Sequence, residues 1–204
     1  MKSRHTRNAR GEGERLRKDL ITAANRLLEN GATHESLSLR AVAREVGIAA
    51  TSIYLHFPDK RSLLLAVYAQ HFTDLAHMLE DAAKQHADPA EQLHAVARAY
   101  CQFAADHPDA YQVMFIVPGA EPPPGKQITE TERPGLPAIL AVQRVLAACA
   151  DAGVSSTRDP YLATLCLWGA LHGILALRTA RPTIPWPPLD DLVNTVVETH
   201  LKGR

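Results

Sequence analysis

Residues 38–58, SLRAVAREVGIAATSIYLHFP, constrain the fold of this chain more than any other stretch. Leu39, Val42, Ala43 and Val46 recur at i, i+3, i+4 and i+7, the spacing of one apolar helix face. Ser38 is a good cap for the start of that helix, and Gly47 is suited to a left-handed stop at its end. A second short helix then fits about Ala49 to Leu55, because Pro58 cannot continue it and Asp59 can cap the next. Two helices this short cannot bury enough apolar surface against each other. A third is supplied upstream, where Leu16, Leu20, Ala24, Leu27 and Leu28 form one stripe before Gly31.

Helix, glycine turn and short helix make the helix-turn-helix plan, in which the second of the pair lies in a DNA major groove. A helix used that way needs small or polar residues against base edges and longer ones against phosphates. Ala50, Thr51 and Ser52 suit the first role, and Tyr54, His56 and Lys60 the second. Ile53 and Phe57 are expected to pin the short helix to its neighbours. The alternative, in which Tyr54 is also core and the hydroxyls are merely solvated, stays open at this stage.

Charge supports a polyanion partner for one end of the chain only. The formal net charge is zero, but residues 1–70 hold 12 Lys and Arg against 7 Asp and Glu, while the remainder holds 10 against 15. A basic first third therefore precedes an acidic remainder. Residues 1–13 add a basic arm with Arg4, Arg7 and Arg10, which reads either as a minor-groove contact or as a solvated tail.

A long helix fits from about Lys60 to Lys84, with Leu64, Val67, Tyr68, Phe72, Leu75 and Leu79 as its stripe. Asp88-Pro89-Ala90-Glu91 reads as a capping box opening another helix, and His107-Pro108 restarts the chain. Six prolines and three glycines between 118 and 137 predict a loop. Further helices are expected from Pro137 to about Ala152, from Asp159 to about Ala180, and from Leu189 to Leu201. The run 162–177 is the most apolar and falls short of a bilayer span, so a buried core helix is expected there. No strand, internal repeat or heptad array is legible.

The string LSLRAVAREVGIAATSIYLHFPDKRSLLLAVY resembles the N-terminal domain of the TetR family of transcriptional regulators, and the resemblance covers residues 14–72. HPDAYQVMF and the series Trp168, Gly169, Ala170, Leu171, His172, Gly173 resemble the ligand-binding half of the subgroup named for a Trp-His-Gly motif. The resemblance implies an all-α protein: a helix-turn-helix DNA-binding domain over 1–70 and a larger helical effector-binding and dimerisation domain over 71–204. It implies DNA contacts at Ser38, Arg40, Ala50, Thr51, Ser52, Tyr54, His56 and Lys60, with Arg40 directed at a base. Ala49 departs from the family, which usually places a capping residue there.

The implied partners are a palindromic operator, a second copy of the chain and a small, largely apolar effector, with release from DNA when the effector binds. Candidate effector contacts are Phe72, Leu75, Leu79, Tyr100, Phe103, Met114, Phe115, Trp168 and His172. His172 also reads as a core histidine bonded to a backbone carbonyl, the commoner role of a lone histidine on an apolar helix, and Gly169 with Gly173 as packing sites within the domain or across a dimer. Cys101, Cys149 and Cys166 read as buried thiols of a reducing compartment, and the arginine-rich start lacks the apolar segment of an export signal. A cytoplasmic protein is expected. No HExxH or CxxC spacing suggests a metal, no cofactor is expected, and no nucleophile–base pair points to an enzyme. The alternative function is an unregulated DNA-packing protein.

Overall fold

A computed structural model describes residues 12–33, 35–115 and 133–201, and the basic arm and most of the proline-rich segment lie outside these. The described residues form α-helices and one 3-10 turn, with no strand among them. The chain divides into two compact units, Met1–Ala69 with Val113–Gly125 and Gln70–Gln112 with Lys126–Arg204.

In the first unit, α1 spans Glu12–Glu29 and α2 Leu39–Val46. Ser38 is extended and its hydroxyl accepts a hydrogen bond from the Ala41 amide at 3.2 Å, the cap expected from its position. At the other end Gly47 takes φ 79°, a conformation that costs glycine nothing and other residues a steric penalty. That left-handed turn brings the Ile48 amide back to the Ala43 carbonyl at 2.9 Å and aims the chain at the next element.

That element is shorter than the sequence suggests. It is a 3-10 helix of four residues, Ser52–Leu55, and its flanking Thr51 makes no side-chain cap. With no capping side chain before it and Pro58 after it, the segment cannot support a regular α-helix. It is held instead by burial. Ile53 is 0% exposed and Phe57 1%, both packed with Leu20, Ala24, Val42, Ala43, Leu63 and Val67. The Arg17 guanidinium lies over the Phe57 ring, 4.7 Å from its centroid.

The long helix α3, Lys60–Lys84, is continuous, and the boundary between the units falls inside it. Its buried residue in the first turn is Leu63, with Leu64 only partly covered, a shift of one position from the expected stripe. Leu75, Ala76 and Leu79 are buried farther along.

The second unit continues with α4 (Pro89–Asp106), α5 (Pro108–Phe115) as far as Gln112, α6 (Leu136–Asp151), α7 (Pro160–Ala180) and α8 (Leu189–Glu198). Asp88 and Asp159 cap α4 and α7 through the amides of Ala90 and Leu162. Helix α8 stops three residues before the expected end. Helix α4 packs on α6, α7 and α8, and α7 on α6 and α8. Cys149 is buried, and its thiol donates to the Pro89 carbonyl at 3.2 Å.

Helix α7 is not the buried core helix its composition suggests. It has 21 residues, is long and apolar enough by length and composition to cross a membrane, and buries only 17% of its most apolar window. Its covered side carries Ala163, Thr164, Leu167 and Leu171. Leu162 and Leu177 are 58% and 53% exposed, and Cys166, expected inside, is exposed between them. A Cβ built on Gly169 or Gly173 would meet nothing within 4 Å, so among the described residues no element packs on that face.

Candidate functional site

The first unit presents its polar residues around the 3-10 turn while its apolar ones close beneath. Arg40, Ala50 and Thr51 are exposed, Ser52 and His56 half-buried, and Tyr54 is 51% exposed over the buried Ile53. Tyr54 therefore belongs to the surface and not to the core. The Ser38 oxygen is occupied by the cap, which leaves its hydroxyl proton as a donor for a phosphate. The Lys60 ammonium donates to the Glu35 carbonyl at 3.0 Å. It has three donors, so this bond anchors the charge on the surface and keeps two for an anion. Leu55, which sequence reasoning passed over, is 85% exposed beside Tyr54. Its signal was its neighbourhood: a leucine two residues past a buried isoleucine in a single tight turn has nowhere inside to go.

In the second unit the structure joins some of the candidate effector residues and separates others. Trp168 and His172, one turn apart on α7, have ring centroids 6.2 Å apart. The Trp168 Nε1–H donates to the Tyr100 oxygen at 3.1 Å. Tyr100 and Tyr111 oxygens lie 3.2 Å apart, and His172 Nδ1 is 3.3 Å from the first and 2.5 Å from the second. Two tyrosine hydroxyls thus face Nδ1 of this histidine. Burial raises the Tyr100 hydroxyl far above its ordinary value and pushes Tyr111 up to about 12. Burial also lowers His172 from its usual value, so the imidazole is held neutral.

Tyr111 is the residue the sequence did not yield. Its partners sit on α4 and α7, far apart in the chain, and no spacing within α5 marks it. Phe103 is buried with its ring 5.1 Å from that of His107, outside the hydrogen-bonded group. Leu75 and Leu79 are buried, and the Phe72 ring lies against Gly135, within 3.1 Å of where a Cβ would be. Met114 is buried and Phe115 half-buried, but the division of the chain puts both in the first unit, apart from Tyr100.

A cleft of about 450 Å³ is lined by His86, Glu91, His94, Arg98, Asn194 and Glu198, none of them a candidate effector contact. His86 and Glu91 approach to 3.5 Å, and His94 and Glu198 to 3.4 Å. The pairing with Glu198 uses His94 Nε2, and the buried His94 Nδ1 makes no hydrogen bond. Among the described residues no group of His, Cys, Asp and Glu could hold a metal.

The family model described as bacterial regulatory proteins, tetR family, matches residues 20–67, the helices around the 3-10 turn. The model described as tetracyclin repressor-like, C-terminal domain, matches residues 93–200, more than half of the chain. The chain belongs to the TetR family. It is a DNA-binding transcriptional regulator. The matching C-terminal model is described only as tetracyclin repressor-like, so the Trp-His-Gly subgroup remains a resemblance.

Solved structures share the fold of this TetR-family chain over nearly its whole length. One is a protein of unknown function from Rhodococcus sp. RHA1, 25% identical, covering 97% of this chain and 96% of its own, with a TM-score of 0.76. Another is RolR in complex with resorcinol, 20% identical, covering 94% and 90%, with a TM-score of 0.69. A third is the TetR-family transcriptional regulator PfmR from Thermus thermophilus, 20% identical, covering 89% and 95%, with a TM-score of 0.59.

Proposed function

We propose that this regulator is a cytoplasmic repressor that binds an inverted-repeat operator as a homodimer and leaves it when a small, largely apolar effector binds. Residues 1–70 hold the DNA, and residues 71–204 dimerise and receive the effector. The observation that carries the DNA half of this reading is the surface around the 3-10 turn. Small and hydrogen-bonding side chains stand exposed there over a closed apolar core, with a lysine fixed at the start of α3. An unregulated packing protein would need no polar group of the Tyr100–His172 kind inside a second domain.

Dimerisation is supported by α7. A single short reading element spans too few base pairs for useful specificity, and two-fold dimers place two of them about 34–36 Å apart or a multiple of that. The exposed Leu162, Cys166, Gly169 and Leu177, with the half-buried Gly173, follow helical spacing, and the small central residues allow another helix close approach. A large exposed apolar face on a helix capped by Asp159 and packed on α4, α6 and α8 fits a second copy better than a bilayer. The effector half takes support from the aromatic group of α4, α5 and α7, and from RolR, a protein of this fold that binds resorcinol. The continuous α3 supports a lever between the two functions: an effector that favours one direction of this helix shifts the reading elements out of register, and linkage makes the effect reciprocal.

The test is operator binding by full-length protein, with the operator found as a shared palindrome in captured genomic fragments. Arg40→Ala should weaken it by about 1–3 kcal/mol and relax preference at one base pair per half-site. Lys60→Ala should weaken all sequences alike and reduce the salt slope by about one. Equal loss on random DNA for Arg40→Ala would make that residue a phosphate contact. Capture of no shared palindrome would remove the repressor reading altogether.

A further inference from the structure

The 3-10 turn of the first unit sorts its side chains by direction. The Ser52 amide donates to the Ala49 carbonyl and the His56 amide to the Ile53 carbonyl, both at 2.9 Å, the bonding of a helix with three residues per turn. Residues three apart therefore share a side, and Thr51, with helical φ and ψ, joins the same register. One side carries Ile53 and His56, buried and half-buried, and faces the core. The other two carry Thr51 with Tyr54 and Ser52 with Leu55, each about 120° around from the core side. Leu55 is thus turned outward as far as Tyr54.

Among the described residues of the first unit, Tyr54 and Leu55 are the large apolar side chains left exposed. The others are buried or packed against the core cluster. Both lie on the turn that carries Ala50, Thr51 and Ser52, the residues suited to base edges. Leucine has no hydrogen-bonding group. Set against a phosphate, it would strip water from a charge and return no bond. On the base edges of a major groove, the apolar group is the 5-methyl of thymine. An isobutyl side chain against that methyl takes apolar surface of both out of water. Cytosine offers an amine donor at the same edge and no methyl, so it makes a poor substitute.

We infer that Leu55 is a specificity-determining residue, packing on the 5-methyl group of one thymine in each operator half-site. This rests on the operator reading proposed above, and adds a base contact to those that the family resemblance implies.

The test uses the captured operator with each thymine replaced in turn by deoxyuridine, which removes the methyl and keeps every hydrogen-bonding group. Affinity is measured by fluorescence anisotropy for full-length wild type, Leu55→Ala and Leu55→Met. For wild type we expect one thymine in each half-site whose replacement weakens binding about fourfold. In Leu55→Ala that loss should disappear, with the losses at other thymines unchanged, and Leu55→Met should restore it. An exposed side chain can be cut back without unfolding the unit, so Leu55→Ala should melt with wild type. Uracil losses that match in wild type and Leu55→Ala at every thymine overturn the contact, as does the absence of any loss. Weakening by Leu55→Ala that is equal on operator and random DNA, with the uracil losses unchanged, puts Leu55 against the sugars and overturns it as well. Capture of no preferred sequence removes the operator reading, and this inference with it.

Discussion

The two units of this regulator put their polar chemistry on opposite sides of their cores. Around the 3-10 turn the inside is apolar, with Ile53, Phe57, Val42 and Leu63 buried, and the groups able to recognise a partner stand in solvent. In the second unit the buried Tyr100 and Tyr111 meet the half-buried His172 and the more exposed Trp168, on helices whose outer face, at α7, is apolar. The difference follows from the size of what is bound. A polyanionic duplex is too large to enclose and is met on a surface by exposed charges and hydroxyls. A small molecule is gripped best when enclosed, so polar groups that meet one are drawn out of water and need hydrogen-bond partners of their own.

The sharpest way to break the comparison is to charge the outer face of α7. Gly173→Glu introduces a side chain that meets nothing within the chain itself. The folded monomer should tolerate it, but a dimer seam should not, because an unpaired buried carboxylate costs several kcal/mol. Sedimentation should show a monomer, and operator affinity should fall by about a thousandfold or more. A variant that remains dimeric would place the partner elsewhere and leave α7 without an occupant.

A core deletion separates the units next. Ile53→Ala empties the space under the 3-10 turn and should cost about 2–5 kcal/mol. Both tryptophans, Trp168 and Trp186, belong to the second unit, so their fluorescence reports on that unit alone. Helical signal by circular dichroism should begin to melt at lower temperature, ahead of the tryptophan transition. Coincident early transitions would mean that the two units unfold as one.

A smaller effect is expected at the cap of α2. Ser38→Ala removes the bond to the Ala41 amide and should cost about 1 kcal/mol of stability. Operator affinity should fall by more than that loss accounts for if the same hydroxyl also donates to a phosphate. Equal losses would confine Ser38 to capping.

The smallest effect is one of pH. Burial lowers the His172 value in the folded protein below its ordinary 6.5. A base whose folded value is lowered binds fewer protons folded than unfolded in the interval between the two values, so stability rises with pH there. The contribution of the neutral ring is complete above about 6.5 and is lost as pH falls below it. Wild type should therefore lose melting temperature faster than His172→Gln on going from pH 7 to pH 5. Parallel curves would mean that His172 titrates like a solvated ring.

How far the sequence carried the fold differed along the chain. Ser38, Gly47 and the four apolar residues between them marked α2 to the residue, because caps and a 3.6-residue period are local properties of the backbone. The same rules misjudged the next element. Its length is set by the burial of Ile53 and Phe57 against α1 and α2, and small residues without a cap carry no local signal for where regular helix ends. Helix α7 was located by its Asp-Pro start, yet an even spread of apolar residues around a helix does not show which side is covered.

The sequence by itself determined the helices, the glycine turn of the DNA-binding motif, and the resemblance from which the exposed contact residues were named. It also located Trp168 and His172 one turn apart. Only the tertiary structure decided that Tyr111 meets Tyr100 and His172, that Leu55 stands in solvent, and that Cys166 and the two glycines of α7 face outward. The physical reason is the range of the forces. Periodicity, capping and charge act between neighbours in the chain, whereas a hydrogen bond from α5 to α7 depends on how α4, α6 and α7 pack, and packing answers to side-chain volumes summed over the whole unit.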